Sequence, residues 1–217
     1  MSSLGKSSQL VFDILQENQL RRVLRILLIV DKFGGESHYL DSEVKLQKIE
    51  FFFRNPDHFS YFLLKRYEEG KITDCENLKK IINELMNTNE LDIRIDPMKR
   101  YKYGAYEELD KTLSILSSLQ YMIIDKKEHH LKCNLTENGI KYIENLKNEE
   151  ELSWYFKRVN LLYTFLEKLS PTEIKKAQYQ SEIYSSTEWN DIIPNEIENV
   201  KNLYKKLFGE ELICNEK

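Results

Sequence analysis

The sequence predicts a mainly α-helical protein with one small β-hairpin, and three observations support this. Glycine and proline are scarce, at 7 and 4 of 217 residues, so few positions favour breaks in a helix. Apolar residues recur at helical spacing over most of the chain. Alternating, strand-like patterns are confined to short stretches, so a many-stranded sheet is not expected.

The first third of the chain is predicted to be helical. A short apolar helix over 9–16 precedes a stronger one over 19–33, which the pair Gly34-Gly35 ends. Its predicted buried face consists of Leu20, Val23, Leu24, Leu27 and Leu28, with Arg21, Arg22, Arg25 and Lys32 largely elsewhere. Helices at 42–54, capped by Ser42, and 56–69 follow it.

Weaker patterns occupy residues 71–103. Residues 74–86 have helical spacing, and residues 91–95 alternate between apolar and charged side chains as a strand does. Residues 98–103, MKRYKY, are basic and aromatic and have no predicted secondary structure.

The next elements follow the order helix, strand, turn, strand and helix. Residues 105–119 are predicted to be helical, residues 121–135 to form a hairpin around a charged turn, and Thr136 to cap another helix. Together with the helices at 19–33 and 42–54, this order is typical of a winged helix. The predicted fold is therefore a winged-helix domain with an inserted helical segment and a C-terminal helical extension.

A charged break at residues 147–150 sets the predicted domain boundary. Residues 1–148 form the predicted winged-helix domain, with its helical insertion at about 56–100, and residues 149–217 form a C-terminal helical region. In that region we predict a helix over 151–169, a short one capped by Ser170, a loop over 184–191 and a last helix over 194–208.

Composition excludes several classes of protein. The formal net charge is −4 and the pI is about 5.7, whereas a dedicated DNA-binding domain usually has a clear basic excess. The three cysteines are far apart and have no metal-ligand spacing. No apolar run is long enough for a membrane span or a signal peptide, so a cytoplasmic location without membrane contact is expected.

No catalytic or cofactor motif is present in the sequence. There is no phosphate-binding glycine loop, no GxSxG and no HExxH, so we predict neither an enzyme nor a cofactor or metal. The adjacent His129 and His130 lie on a predicted strand and would point to opposite faces, which argues against a shared metal with Cys133. A cryptic enzyme using these three residues is the least favoured hypothesis.

Two basic stretches are candidates for nucleic-acid backbone contact. The candidate residues are Lys99, Arg100, Lys102, Lys126 and Lys127. Against sequence-specific reading, Glu107, Glu108 and Asp110 crowd the start of the predicted recognition helix, where phosphates would repel them. We therefore expect DNA to be contacted only weakly or indirectly.

Aromatic residues are unusually dense in the predicted helix 151–169. The candidate partner-binding residues are Trp154, Tyr155, Phe156 and Tyr163. Tyrosine and tryptophan dominate binding energy at protein interfaces, but a helix that is apolar on several sides is equally well explained by burial in its own core. Both interpretations remain open from the sequence.

Two segments resemble a known family. One is RRVLRILLIVDKFGG (21–35) followed by VKLQKIEFFFRNP (44–56), and the other is YGAYEELDKTLSILSSL (103–119) followed by the hairpin. Together they resemble the middle components of bacterial ABC-three-component systems, including the small accessory subunit of Lamassu-type anti-phage defence complexes. The similarity covers roughly the first two thirds of the chain without residues 71–97, and its motifs are hydrophobic patterns.

This resemblance implies a non-catalytic subunit encoded beside a large SMC-like or Rad50-like ATPase, and often beside an effector nuclease. The expected function is to bind the head or neck of that ATPase and to modulate effector or DNA engagement. The same pattern is also similar to a winged-helix antitoxin family, so a DNA-binding regulator or antitoxin is the alternative hypothesis. No catalytic residue is implied in either case.

Overall fold

A computed structural model describes residues 19–87, 98–101, 104–106, 108–127 and 130–214, and only the backbone of 126, 127 and 130. Helices dominate the described chain, and its strands form two small antiparallel sheets, which confirms the predicted mainly α-helical class. The chain divides into two units. Unit 1 comprises Met1–Leu46 and Glu108–Glu167, and unit 2 comprises Gln47–Glu107 and Lys168–Lys217. The boundary expected near residue 148 stays a prediction.

Unit 1 begins with α1, a helix over 19–33. Val23, Leu27 and Leu28 are buried, as their spacing predicts. The helix ends where the Gly34 N–H donates to the Val30 carbonyl at 2.9 Å, so the predicted glycine stop is confirmed.

The polar side of α1 differs from the prediction. Leu20 is 65% exposed, while Arg22 and Arg25 are buried. The physical reason is that Ile26 and Ile29 are also fully buried, so α1 is enclosed on most of its circumference and not along one leucine stripe.

A three-stranded antiparallel sheet follows in unit 1. It contains β1 (Tyr39–Leu40), β4 (Met122–Lys127) and β5 (His130–Leu135) in the order β1-β5-β4. Leu40 and Ile124 both lie opposite Cys133 in the register, which makes a row across one face. The hairpin that the sequence predicts at 121–135 is therefore confirmed.

The helix before this hairpin, α5 (Asp110–Ser118), is shorter than predicted. The sequence predicts a helix over 105–119, but Gly104–Tyr106 is a strand, β3, which pairs with β2 (Lys99–Tyr101). Pairing with a partner strand overrides the helical spacing of the side chains in this segment.

The remaining helices of unit 1 are α6 (Glu137–Leu146) and α7 (Ser153–Leu166), separated by a short 3-10 turn (Glu150–Leu152). The Thr136 hydroxyl accepts the Gly139 N–H at 3.1 Å, so Thr136 caps α6 as predicted.

Helix α2 (Glu43–Arg54) has its first residues in unit 1 and the rest, from Gln47 on, in unit 2. The Ser42 hydroxyl accepts the Lys45 N–H at 3.1 Å, which confirms the predicted cap. Burial extends around the whole circumference of the helix in its second part, because every residue from 46 to 54 is buried.

Unit 2 continues with α3 (Pro56–Glu68) and α4 (Cys75–Asn87). Its core is aromatic: the ring centroids of Phe52 and Phe62 lie 5.3 Å apart, and those of Phe51 and Tyr184 lie 5.6 Å apart. Phe59 and Leu63 of α3 are also fully buried.

The last helices of unit 2 are α8 (Pro171–Gln178), α9 (Glu182–Ser186) and α10 (Ile197–Phe208). Ser170 and Glu173 form a capping box at the start of α8, which confirms the predicted cap. The loop predicted over 184–191 is partly wrong, because α9 occupies its beginning. The Ser181 hydroxyl accepts the Tyr184 N–H at 3.0 Å and starts that turn of helix.

Two predicted elements, the helix over 9–16 and the strand over 91–95, lie outside the described residues. Within the described ranges, none of the helices has the length and apolarity that crossing a bilayer requires.

Candidate functional site

The outer side of α5 is exposed and carries one lysine but no arginine, asparagine or glutamine. Its exposed residues, which we call the α5 surface, are Asp110, Lys111, Ser114, Ser117 and Ser118. The single cation is matched by a single carboxylate, and the rest are serines. Base reading in the major groove favours arginine, lysine, asparagine and glutamine, so this surface is poorly suited to it.

A groove of about 490 Å³ lies beside α5. It is lined by Asp110, Leu113, Ser114, Ser117, Ser118 and Ile124. Leu113 is 4% exposed and Ile124 of β4 is half-buried, so the groove has apolar walls inside a rim of hydroxyl groups. Its chemistry fits an apolar side chain flanked by hydrogen-bonding groups.

The serines give the groove its accessibility. Ser114, Ser117 and Ser118 are spaced at i, i+3 and i+4 and therefore share one face of α5. Small side chains on one helical face let a second helix approach closely, because ridges of large side chains do not hold it away.

The outer face of the unit 1 sheet also combines apolar and polar side chains. Tyr39, Asn134 and Ile123 form a row across the three strands, and Ile123 is 62% exposed. Asp125 lies opposite Lys132, and both are exposed. The described residues of this face are apolar in part and balanced in charge, which resembles a protein interface more than a phosphate-binding surface.

The predicted phosphate contacts on this hairpin stay predictions. The backbone of Lys126 and Lys127 forms the end of β4, and their side chains lie outside the described part of the chain.

In the basic stretch at 98–103, Lys99 faces outward and Arg100 faces inward. Lys99 is exposed on β2, whereas Arg100 points into unit 2. The Arg100 guanidinium donates to the Ser185 carbonyl at 2.7 Å and to the Thr187 carbonyl, and it lies over the Tyr179 ring at 5.3 Å. Arg100 therefore has structural partners within the unit. Lys102 lies outside the described residues.

The aromatic residues predicted to bind a partner on α7 are mostly engaged within unit 1. Tyr155 is 5% exposed and its ring centroid lies 4.0 Å from that of Trp154, while Trp154 and Phe156 are half-buried. Of the two interpretations that the sequence leaves open, burial in the core describes Tyr155 best.

Tyr163 has three contacts within the same unit. Its ring meets Phe33 edge-on at 5.4 Å, Lys32 lies over it at 4.8 Å, and its hydroxyl donates to Glu167 at 2.7 Å. The hydrogen bond to Glu167 raises the pKa of this phenol. These contacts attach α7 to α1, so Tyr163 contributes to packing inside unit 1.

Of the three residues considered for an enzyme, the structure describes the side chain of Cys133 alone. Cys133 is 1% exposed, and burial, together with the nearby charge of Glu43, raises the pKa of its thiol to about 12. Such a thiol is a poor nucleophile because almost none of it is ionised at neutral pH. His129 and the side chain of His130 lie outside the described residues.

A buried polar network in unit 2 is not evident from the sequence. His58 Nε2 donates to the Pro194 carbonyl at 2.8 Å, and its Nδ1 lies 3.6 Å from the Glu196 carboxylate. Ser181 donates to the same carboxylate at 2.6 Å, and the Glu196 N–H donates to Asp57 at 2.6 Å. No sequence pattern indicates this network, because Asp57 and Glu196 are far apart along the chain.

This network resembles a serine–acid–histidine set only in its residue types. The carboxylate lies between the serine and the histidine, and Ser181, His58 and Glu196 are at most 4% exposed. In a hydrolase the histidine contacts the serine directly, and the serine faces the substrate. Here the network satisfies polar groups at the start of α10.

Metal binding finds no support in the described part of the chain, where no three histidine, cysteine, aspartate or glutamate side chains converge. No protein-family model matches the sequence, and neither a curated protein nor a solved structure does.

Proposed function

We propose that unit 1 is a winged helix and that the protein is a non-catalytic accessory subunit, which docks through the α5 surface onto a helical partner. The proposed partner is the head or neck of an SMC-like ATPase in an anti-phage defence complex, where docking modulates effector or DNA engagement. The family resemblance supports the class of partner, and an effector nuclease is a further proposed subunit of the complex.

The observation that carries this proposal is the α5 surface with its groove. A winged helix that read DNA would be expected to expose cations and amides there, whereas this helix exposes serines around a groove with two apolar lining residues, Leu113 and Ile124. The neck of an SMC-like ATPase is a coiled coil, and a helix of that kind offers apolar side chains at regular spacing. A leucine from such a helix fits the groove between Leu113 and Ile124.

Co-purification with the gene neighbour that encodes a coiled-coil ATPase tests the proposal. A stable complex that buries about 1,600 Å² in total is expected. Ser117→Arg fills the groove with a long charged side chain and should weaken the complex about tenfold or more. Ser153→Arg adds the same side chain at an exposed site on α7 and serves as the control. A chain that stays monomeric beside the ATPase at micromolar concentration contradicts the proposal.

A DNA-binding regulator or antitoxin is the second candidate. The order of elements in unit 1 and the lysines at the end of β4 favour it. It requires binding to promoter DNA that weakens steeply with salt and that is lost on charge reversal at Lys126 and Lys127. Under this alternative Ser117→Arg should strengthen DNA binding, because it adds a cation to the helix that would enter the major groove of DNA.

The proposed subunit is cytoplasmic and has no ATPase or nuclease activity of its own. A third possibility, a cryptic enzyme, requires a measurable phenotype on substitution of His129, His130 and Cys133.

A further inference from the structure

We propose that a small sheet in unit 2 is a second interaction surface, which binds an acidic, apolar peptide segment of a partner protein. This surface belongs to unit 2 alone and is independent of the α5 surface. It consists of Ile192, Lys99, Tyr101 and Tyr106, which we call the ribbon face.

The backbone register brings these four residues to one face. Lys99 lies opposite Tyr106 of β3 on one side and opposite Ile192 on the other. Tyr101 is two residues beyond Lys99 on β2, and side chains two apart on a strand share a face. The rings of Tyr101 and Tyr106 pack together with their centroids 5.3 Å apart.

All four side chains are exposed. The exposed fractions are 53% for Ile192, 45% for Tyr101 and 38% for Tyr106, and Lys99 is also exposed. Trp189, only three residues before Ile192, is 62% exposed. Three aromatic side chains and an isoleucine outside the core are the residue types that interfaces use as anchors.

The opposite face holds the ribbon in place. Met98 and Ile193 are buried, and the Ile193 N–H donates to the Met98 carbonyl at 3.1 Å. The Arg100 N–H donates to the Asp191 carbonyl at 2.9 Å, and the Arg100 side chain is bound to carbonyls of unit 2. The exposed face is therefore preorganised, which lowers the entropic cost of binding.

Charge identifies the chemistry of the partner. Lys99 is the sole charged member of the ribbon face and lies in its middle row, between Ile192 and Tyr106. Asp191 lies opposite Arg100 in the register, so alternation assigns its side chain to the other side. A carboxylate flanked by apolar or aromatic side chains complements this pattern, with the carboxylate on the Lys99 ammonium and the apolar groups on the tyrosine pair.

Single-stranded nucleic acid is a poorer match. Stacking on tyrosine and a phosphate on Lys99 would use part of the face, but a nucleic-acid groove follows the backbone with several cations. The exposed Ile192 would remain uncovered. A protein segment covers the whole face.

Selection of a random dodecapeptide library displayed on phage, with the full-length chain as bait, tests the inference. The enriched peptides should carry aspartate or glutamate beside leucine, phenylalanine or tyrosine. Binding of the enriched peptides should weaken about tenfold or more for Lys99→Glu and for Tyr101→Ala. Lys80→Glu changes another exposed lysine, on α4, and should leave the affinity for these peptides unchanged. Circular dichroism confirms that each variant is folded.

Three outcomes would overturn the inference. Selection could enrich basic peptides or none, the Lys99→Glu variant could bind the enriched peptides as well as the wild type, or an oligothymidylate could bind the wild type more tightly than any of them and compete for the same residues. The last outcome would assign the face to single-stranded nucleic acid. Failure of ATPase binding through α5 would leave each of these results interpretable, because the bait needs no other subunit.

Discussion

Individual buried residues in this protein carry unusual protonation equilibria. Lys48 of α2 is 1% exposed, and burial, with the nearby charge of Lys175, lowers the pKa of its ammonium to about 8. Burial of the Cys133 thiol in the unit 1 sheet has the opposite effect and raises its pKa. In both cases burial disfavours the charged form, so each residue makes the free energy of unfolding depend on pH.

Lys48 should reduce stability at neutral pH. In the unfolded chain the lysine holds its proton up to about pH 10.5, whereas in the folded chain it releases it near pH 8. Between these values the unfolded state binds more protons, so the contribution of Lys48 to stability rises with pH. Lys48→Met should therefore be more stable than the wild type by about 1–3 kcal/mol at pH 7, and the difference should shrink as the pH rises and stop changing above pH 10.5.

Urea unfolding of both proteins across this pH range measures that difference. Lys80→Met replaces an exposed lysine and should shift stability by no more than about 0.5 kcal/mol at any pH. A Lys48→Met difference that does not change with pH would contradict the account.

Cys133 should be protected from alkylation in the folded protein. At pH 8 a pKa of about 12 makes its thiolate fraction about a thousandfold smaller than in the unfolded chain, whose cysteine pKa is near 9. Iodoacetamide followed by mass spectrometry should label the half-buried Cys75 first and Cys133 only on unfolding. Labelling of Cys133 as fast as Cys75 in the folded protein would show that the sheet opens.

The starts of several helices are set by local capping residues, and these helices were predictable from the sequence. Ser42, Thr136 and Ser170 accept backbone N–H groups at the starts of α2, α6 and α8, as their positions in the sequence predict. The start of α5 and the turn of α9 did not follow from helical spacing, because pairing of β3 with the neighbouring strand β2 sets the first and a single serine cap sets the second.

The candidate surfaces were predictable only in part. Asp110 already argued against sequence-specific DNA reading by α5, but the groove also depends on Ile124, which tertiary packing brings beside α5. Lys99 and Arg100 look equivalent in the sequence. Pairing of β2 with residues 190–193 of the same chain is what turns Lys99 toward solvent and Arg100 toward the core.

The packing of α6 on the hairpin rests on a glycine. An added Cβ at Gly139 would lie 2.2 Å from the backbone oxygen of Tyr121, which cannot move like a flexible side chain. Alanine normally stabilises a helix interior relative to glycine by about 1 kcal/mol. Here Gly139→Ala should instead destabilise the protein by about 2–4 kcal/mol in urea unfolding.

Asn138→Ala is the matched control for that substitution, because Asn138 is exposed on the same turn of α6. It should leave stability unchanged or slightly higher. If Gly139→Ala proved as stable as Asn138→Ala, α6 would not be held closely against the start of β4.

At the scale of the whole molecule, the two candidate surfaces belong to different units. The α5 surface lies in unit 1 and the ribbon face lies in unit 2. Neither carries the cationic excess that phosphate binding needs, which agrees with the formal net charge of −4. An accessory subunit with two such surfaces would contact more than one protein segment in its complex.

Hydrogen exchange of the full-length chain, with and without the purified coiled-coil ATPase, tests the docking claim most directly. Binding through the α5 surface should slow exchange of backbone amides over 110–127, which cover α5 and β4, because the partner excludes water from the groove. Unchanged exchange over 110–127 in a mixture where the ATPase is present in excess would contradict the claim.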